Sequence, residues 1–224
     1  RQQARCSKSS QSHLTRWSRR PKRYCNIAMA RALYLTHPQV VQDPAIPVPD
    51  WPLNKIGRAR VGALTASDAL AGVSHVFSST EQKARDTATP LSQALGLVPV
   101  YDPEMGENDR SATGYLHAAA FEAHADAFFA APDVSLRGWD TARDAQMRIL
   151  NAVDRALRTT HGDVLFVGHG AVGTLLWCAL SGVDISREHD QGPGGGGNWF
   201  AVDLDKRQPL SAWRPIEELA KDVP

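Results

Sequence analysis

Ala32-Leu33-Tyr34-Leu35-Thr36-His37-Pro38 is an apolar run that ends in polar residues, and Val164-Leu165-Phe166-Val167-Gly168-His169-Gly170 repeats the arrangement far downstream. Each run has the length and composition of a buried strand. In open α/β sheets, ligands bind beyond the carboxyl ends of the strands. Two strands that both finish in histidine can therefore deliver two imidazoles to one sheet edge.

The segments around these runs alternate between strand and helix patterns. Residues 43–52 form a loop with four prolines, Pro44, Pro47, Pro49 and Pro52, and cannot be regular helix. Residues 57–70 have helical composition, and Ser74-His75-Val76-Phe77 reads as a short strand. Ser78-Ser79-Thr80-Glu81 fits a capping box, with Ser78 as N-cap and Glu81 three residues inside. Ala84, Ala88, Leu91 and Leu95 then recur at helical spacing, and Gly96 is placed to end the helix. Residues 97–101 read as a third strand near an edge, because Pro99 cannot donate to a ladder. Helices are expected over 121–131, 141–158 and 172–180. The run 163–167 should be a central strand, and 199–202 the last strand. Gly192-Pro193-Gly194-Gly195-Gly196-Gly197 lacks the Gly-Lys-Ser/Thr ending of a phosphate loop and reads as a flexible linker. The alternation implies a three-layer α/β/α fold with a largely parallel sheet.

Composition narrows the classes. The chain has 224 residues, enough for one well-filled core. No apolar run approaches the ~18 residues of a membrane span. Cys6, Cys25 and Cys178 are odd in number and far apart, so they imply neither a disulfide framework nor a zinc site. Residues 1–28 carry eight Lys/Arg and no acid, whereas 29–224 carry 17 basic and 24 acidic residues. The basic character thus belongs to the leader, and nucleic-acid binding by the folded part is disfavoured. The leader has no apolar periodicity and reads as disordered. It could be a basic interaction tail, a transit-type peptide or sequence upstream of a natural start at Met29. The last is favoured, with 29–224 as the folded domain and a cytoplasmic location.

Three features can meet at the sheet edge: His37, the Ser78-Ser79 helix start with Lys83 one turn inside, and His169. A helix N-terminus and a lysine both suit a phosphate. An imidazole can attack phosphorus and split hydrolysis into two steps. A carboxylic acid must protonate the leaving oxygen, and Glu104 and Glu107 are both candidates.

This order of motifs resembles the histidine phosphatase superfamily, with its phosphoglycerate mutase-like fold. Thr36-His37-Pro38 stands where that family has Arg-His-Gly. Leu53-Asn54-Lys55-Ile56-Gly57 matches its Leu-Thr-x-x-Gly helix start. The stretch from Ser78-Ser79 to Lys83-Ala84 and Thr87-Ala88 matches Ser-Ser-x-x-x-Arg-Ala-x-x-Thr-Ala, with Lys83 at the arginine. Asp102-Pro103-Glu104-Met105-Gly106-Glu107 matches the acid-bearing loop, with Glu107 at the acid. Val167-Gly168-His169-Gly170 matches Val-x-His-Gly.

The resemblance implies a metal-independent phosphatase, with no cofactor expected, for a phosphomonoester or phosphoramidate on a small phosphorylated substrate or a phosphoprotein. His37 would become phosphorylated, Glu107 would donate and later accept a proton, and His169 would stabilise the transferring group. Thr36 and Lys83 would line the phosphate pocket. Arg110 and Arg137 are the cations available to replace the charge missing at Thr36, with Arg110 expected to reach the pocket. The same resemblance leaves open a family member that binds an anionic ligand or partner without turnover.

Overall fold

The computed structural model describes residues 30–219. The basic leader, Met29, Cys6 and Cys25 lie outside the described residues. The chain runs through β1 (Arg31–Thr36), α1 (Lys55–Thr65), β2 (Val73–Ser78), α2 (Gln82–Ala94), β3 (Val100–Tyr101), α3 (Ala118–Ala130), α4 (Ala142–Arg158), β4 (Asp163–Gly168), α5 (Gly170–Ser181), β5 (Asn198–Asp203), β6 (Gln208–Pro209), β7 (Arg214–Pro215) and α6 (Ile216–Leu219). The strand order is β3-β2-β4-β1-β5-β6, and β7 pairs with β5.

Side-chain alternation along the strands builds the layers. Ala32 and Tyr34 of β1 and Val164 and Phe166 of β4 point into a core with α4 and α5. Leu33, Leu35, Leu165 and Val167 point to the opposite core, with α1 and α2. Strands buried on both faces read as continuous apolar runs, which is why β1 and β4 were legible. β1, β4, β2 and β3 are mutually parallel, as expected. β5 runs antiparallel to β1 and starts an antiparallel wing with β6 and β7.

The register aligns Thr36 with Gly168. His37 and His169 are the next residue on each strand, so both leave the same edge. A Cβ on Gly168 would lie 2.3 Å from the Tyr34 hydroxyl oxygen, so only glycine lets Tyr34 pass there.

Two local expectations are corrected. α2 begins at Gln82 with Glu81 as its N-cap, not at Ser78. Ser78 is still the last residue of β2, with its backbone paired to β4. The Ser79 hydroxyl accepts the Glu81 amide at 3.2 Å, so the turn between strand and helix is closed by serine, and the Glu81 side chain makes no capping bond. The glycine-rich stretch is also no loose linker. The Gly197 amide donates to the His37 carbonyl at 3.0 Å. Arg60 donates to the carbonyls of Gly196 and Gly197, and Gln39 to that of Gly194. Gly196 has φ +86°, and a Cβ there would sit 2.2 Å from the His37 carbonyl oxygen. The glycines allow the loop to lie against the backbone of His37.

Candidate active site

The β1 and β4 ends place the rings of His37 and His169 with centroids 5.2 Å apart, near edge-to-face. The Nδ1 of His37 lies 2.9 Å from the Pro38 carbonyl oxygen. A carbonyl can only accept, so Nδ1 carries the proton and Nε2 keeps its lone pair. Burial and the neighbouring Lys83 lower the His37 pKa to about 4, so the ring is neutral near pH 7.

His169 is fully buried and is the N-cap of α5. Its backbone is gripped by Tyr34, whose hydroxyl donates to the His169 carbonyl and accepts the His169 amide, both at 3.2 Å. Burial holds the His169 pKa well below the ordinary value, only partly offset by Glu81. Neither ring nitrogen has a hydrogen-bond partner among the described residues. The nearest carboxylate oxygen is Glu81 Oε1, 3.5 Å from Nε2.

Glu107 comes from the loop after β3. Its carboxyl accepts the amides of Val172 at 3.1 Å and Ala171 at 3.4 Å, in the first turn of α5. Burial, and then the charge of Glu81, raise its pKa despite those amides. Such a carboxyl keeps its proton to higher pH than an exposed one, the property a general acid needs. Glu104 is exposed; its amide donates to the Asp102 carboxylate. Arg148 on α4 fixes this loop by donating to the carbonyls of Glu104, Gly106 and Glu107.

Lys83 is 3% exposed, and its ammonium donates to the Val48 carbonyl at 2.9 Å and pairs with Glu81. Glu81 in turn accepts the Glu107 amide at 2.8 Å. Burial opposes its ionisation, but His169, Lys83 and the Glu107 amide outweigh that and hold its pKa low. Arg110 is half-buried, with its guanidinium 4.8 Å above the Phe121 ring. Its charge acts on His37, His169 and Glu107.

Thr36 and Arg137 lie differently. The Thr36 hydroxyl donates to Gln191 Oε1 at 2.7 Å and accepts the Asn198 amide at 3.0 Å, so it ties β1 to the start of β5. Arg137 is exposed, has φ +51°, and lies beside His124, 3.3 Å from its Nε2. Asp43, in the proline-rich loop after β1, accepts the Ala45 amide within its own loop. The loops 43–52 and 103–117 meet through Trp51 and Tyr115, whose rings are 5.9 Å apart.

Sequence reasoning missed Glu81, Tyr34 and Arg148. Glu81 reads as a helix cap, Tyr34 as a core aromatic and Arg148 as a solvated helix charge. The anchoring role of Arg148 shows only in its bonds to the loop carbonyls. Among the described residues no group of three or more His, Cys, Asp or Glu has metal-holding geometry. No described helix is long and apolar enough to cross a membrane.

Solved structures share this architecture. A mycobacterial glucosyl-3-phosphoglycerate phosphatase in complex with inorganic phosphate superposes with a TM-score of 0.66 at 22% identity, covering 83% of this chain and 94% of that one. Bacillus stearothermophilus YhfR superposes with a TM-score of 0.67 at 21% identity, covering 81% and 95%. A protein from Thermus thermophilus gives 0.56 at 20% identity, covering 82% and 99%. At these identities the likeness concerns the fold. No curated protein matches the sequence. A sequence model of the histidine phosphatase superfamily (branch 1) matches residues 40–209, most of the chain and starting just past His37. With the paired histidines, the acid loop and the sheet order in place, the chain belongs to the histidine phosphatase superfamily.

Proposed function

We propose that the protein is a phosphatase working through a phosphohistidine at His37. The observation that carries this is the two neutral imidazoles 5.2 Å apart at one sheet edge, beside a carboxyl of raised pKa. The Nε2 lone pair of His37 attacks phosphorus while the P–O bond of a phosphomonoester, or the P–N bond of a phosphoramidate, breaks. Glu107 gives its proton to the leaving oxygen or nitrogen. Water then attacks the phosphohistidine, Glu107 takes the water proton, and the P–N bond electrons return to Nε2. Arg110 supplies the unpaired positive charge, Lys83 its remaining ammonium N–H, and His169 donates the N–H of its neutral ring to the transferring oxygens. The substrate is a phosphomonoester or phosphoramidate on a small molecule or phosphoprotein. The glucosyl-3-phosphoglycerate phosphatase among the structural neighbours supports the small-molecule case.

Two observations favour a second reading, anion binding without turnover. The Thr36 hydroxyl is committed to Gln191 and Asn198, and Lys83 is paired with Glu81. Hydrolysis of p-nitrophenyl phosphate and phenyl phosphoramidate decides between them. Turnover that disappears in His37→Ala and falls sharply in Glu107→Gln supports the enzyme. Phosphate binding without turnover by the wild type supports the binder.

A further inference from the structure

The pocket contains a carboxylate that the proposed chemistry does not use. Glu81 lies between three partners: its Oε1 accepts the Glu107 amide at 2.8 Å and faces His169 Nε2 at 3.5 Å, and its Oε2 pairs with Lys83. It cannot turn away without stripping both the amide and the buried ammonium. An ammonium has three donors, and two of those of Lys83 are spent on Glu81 and the Val48 carbonyl. Lys83 therefore enters the pocket already neutralised.

The other groups facing Glu81 do not change this balance. His169 beyond the β4 end and His37 beyond β1 are buried, neutral imidazoles. Tyr34 is a neutral phenol bonded to the His169 backbone. Glu107 is held toward its protonated form. Arg148, from α4, approaches the Gly106 side of Glu81 but donates to three loop carbonyls. Arg110 remains as the cation without an opposing carboxylate bond among those described around the pocket.

We propose that Glu81 makes this pocket selective for a phosphoryl group carrying one negative charge rather than two. The selectivity rests on the phosphatase reading above and names its substrate class: monoanionic phosphoryl compounds, and phosphomonoesters in their singly protonated form. A phosphoryl group on His37, alongside His169, meets one unmatched positive charge. A second negative charge on it meets the Glu81 carboxylate in a partly desolvated site, where like charges a few ångströms apart cost enough to shift affinity by about tenfold or more.

Isothermal titration calorimetry with inorganic phosphate on the full chain tests this, at about pH 5.5 and about pH 8.5, either side of the second phosphate ionisation. The wild type binds about tenfold or more tightly at the lower pH. In Glu81→Gln that ratio collapses toward one, through a gain in affinity at the higher pH. Misfolding cannot produce a gain, and the wild-type ratio persists in Glu107→Gln, which separates Glu81 from the titration of Glu107. Should Glu81→Gln lose its native circular dichroism, Glu81→Ala is read the same way. An unchanged ratio in the variant, or a wild type that prefers the higher pH, overturns the selectivity and leaves the phosphatase reading intact. Absence of phosphate binding in every protein at both pH values overturns both.

Discussion

Tyr34→Phe removes one oxygen and nothing else from the centre of the protein. The ring keeps its stack on Phe200, 5.4 Å between centroids, and its edge contact with Trp213. What is lost is the pair of 3.2 Å hydrogen bonds to the amide and carbonyl of His169, in a region that is 1% exposed at Tyr34 and fully buried at His169. The carbonyl retains the Gly173 amide at 3.1 Å as a donor. The amide keeps no described partner. A buried polar group left unsatisfied costs about 1–3 kcal/mol. For a domain of this size that lowers Tm by roughly 2–12 °C. The space opened between the substituted ring and Gly168 also lets the His169 backbone shift. A misplacement of this kind lowers kcat by roughly tenfold to a hundredfold. Differential scanning calorimetry and p-nitrophenyl phosphate kinetics read the two effects. An unchanged Tm together with an unchanged kcat would refute the role of Tyr34 as the brace of His169.

Other perturbations separate the remaining parts of the site. The pH profile of kcat/KM is bell-shaped: the nucleophile is lost as pH falls through the His37 pKa of about 4, and the acid is lost as pH rises through the raised pKa of Glu107. In Glu107→Gln the falling limb disappears from the residual activity; its survival would assign the acid elsewhere. Arg110→Gln removes a charge-assisted contact to the phosphoryl group and lowers kcat/KM by roughly 10- to 100-fold, while Arg137→Gln leaves it within about twofold. Equal effects from both substitutions would contradict the placement of Arg110. Gly196→Ala drives a methyl toward the His37 carbonyl and lowers both Tm and activity. Gly192 has φ +80° and open space around it, so Gly192→Ala costs about 1 kcal/mol of strain and spares activity. The two variants are compared by calorimetry and initial rates.

Much of the fold was legible because its two central strands are buried on both faces. Leu33, Leu35, Leu165 and Val167 on one side and Tyr34 and Phe166 on the other make continuous apolar runs that end at histidine. The 3.6-residue stripe of 84–95 and the helix over 141–158, observed as Ala142–Arg158, were equally clear. The errors fell where tertiary contacts override local pattern. The Ser-x-x-Glu spacing at 78–81 has the form of a capping box, but β2 extends through Ser78 and the carboxylate finds Lys83 and the Glu107 amide instead. The run 192–197 has the composition of a linker, yet Arg60, Gln39 and the His37 carbonyl hold it. Glu81 and Arg148 carry no local signal, because their partners come from distant loops.

The most direct measurement is isolation of the phosphoenzyme. The full chain is mixed with a labelled phosphoryl donor at mildly acidic pH and quenched in alkali, and the labelled peptide is located by mass spectrometry. Label that is stable in alkali, lost in acid, located on His37 and absent from His37→Ala is the predicted result. Label on another residue, or label that persists in His37→Ala, contradicts His37 as the nucleophile.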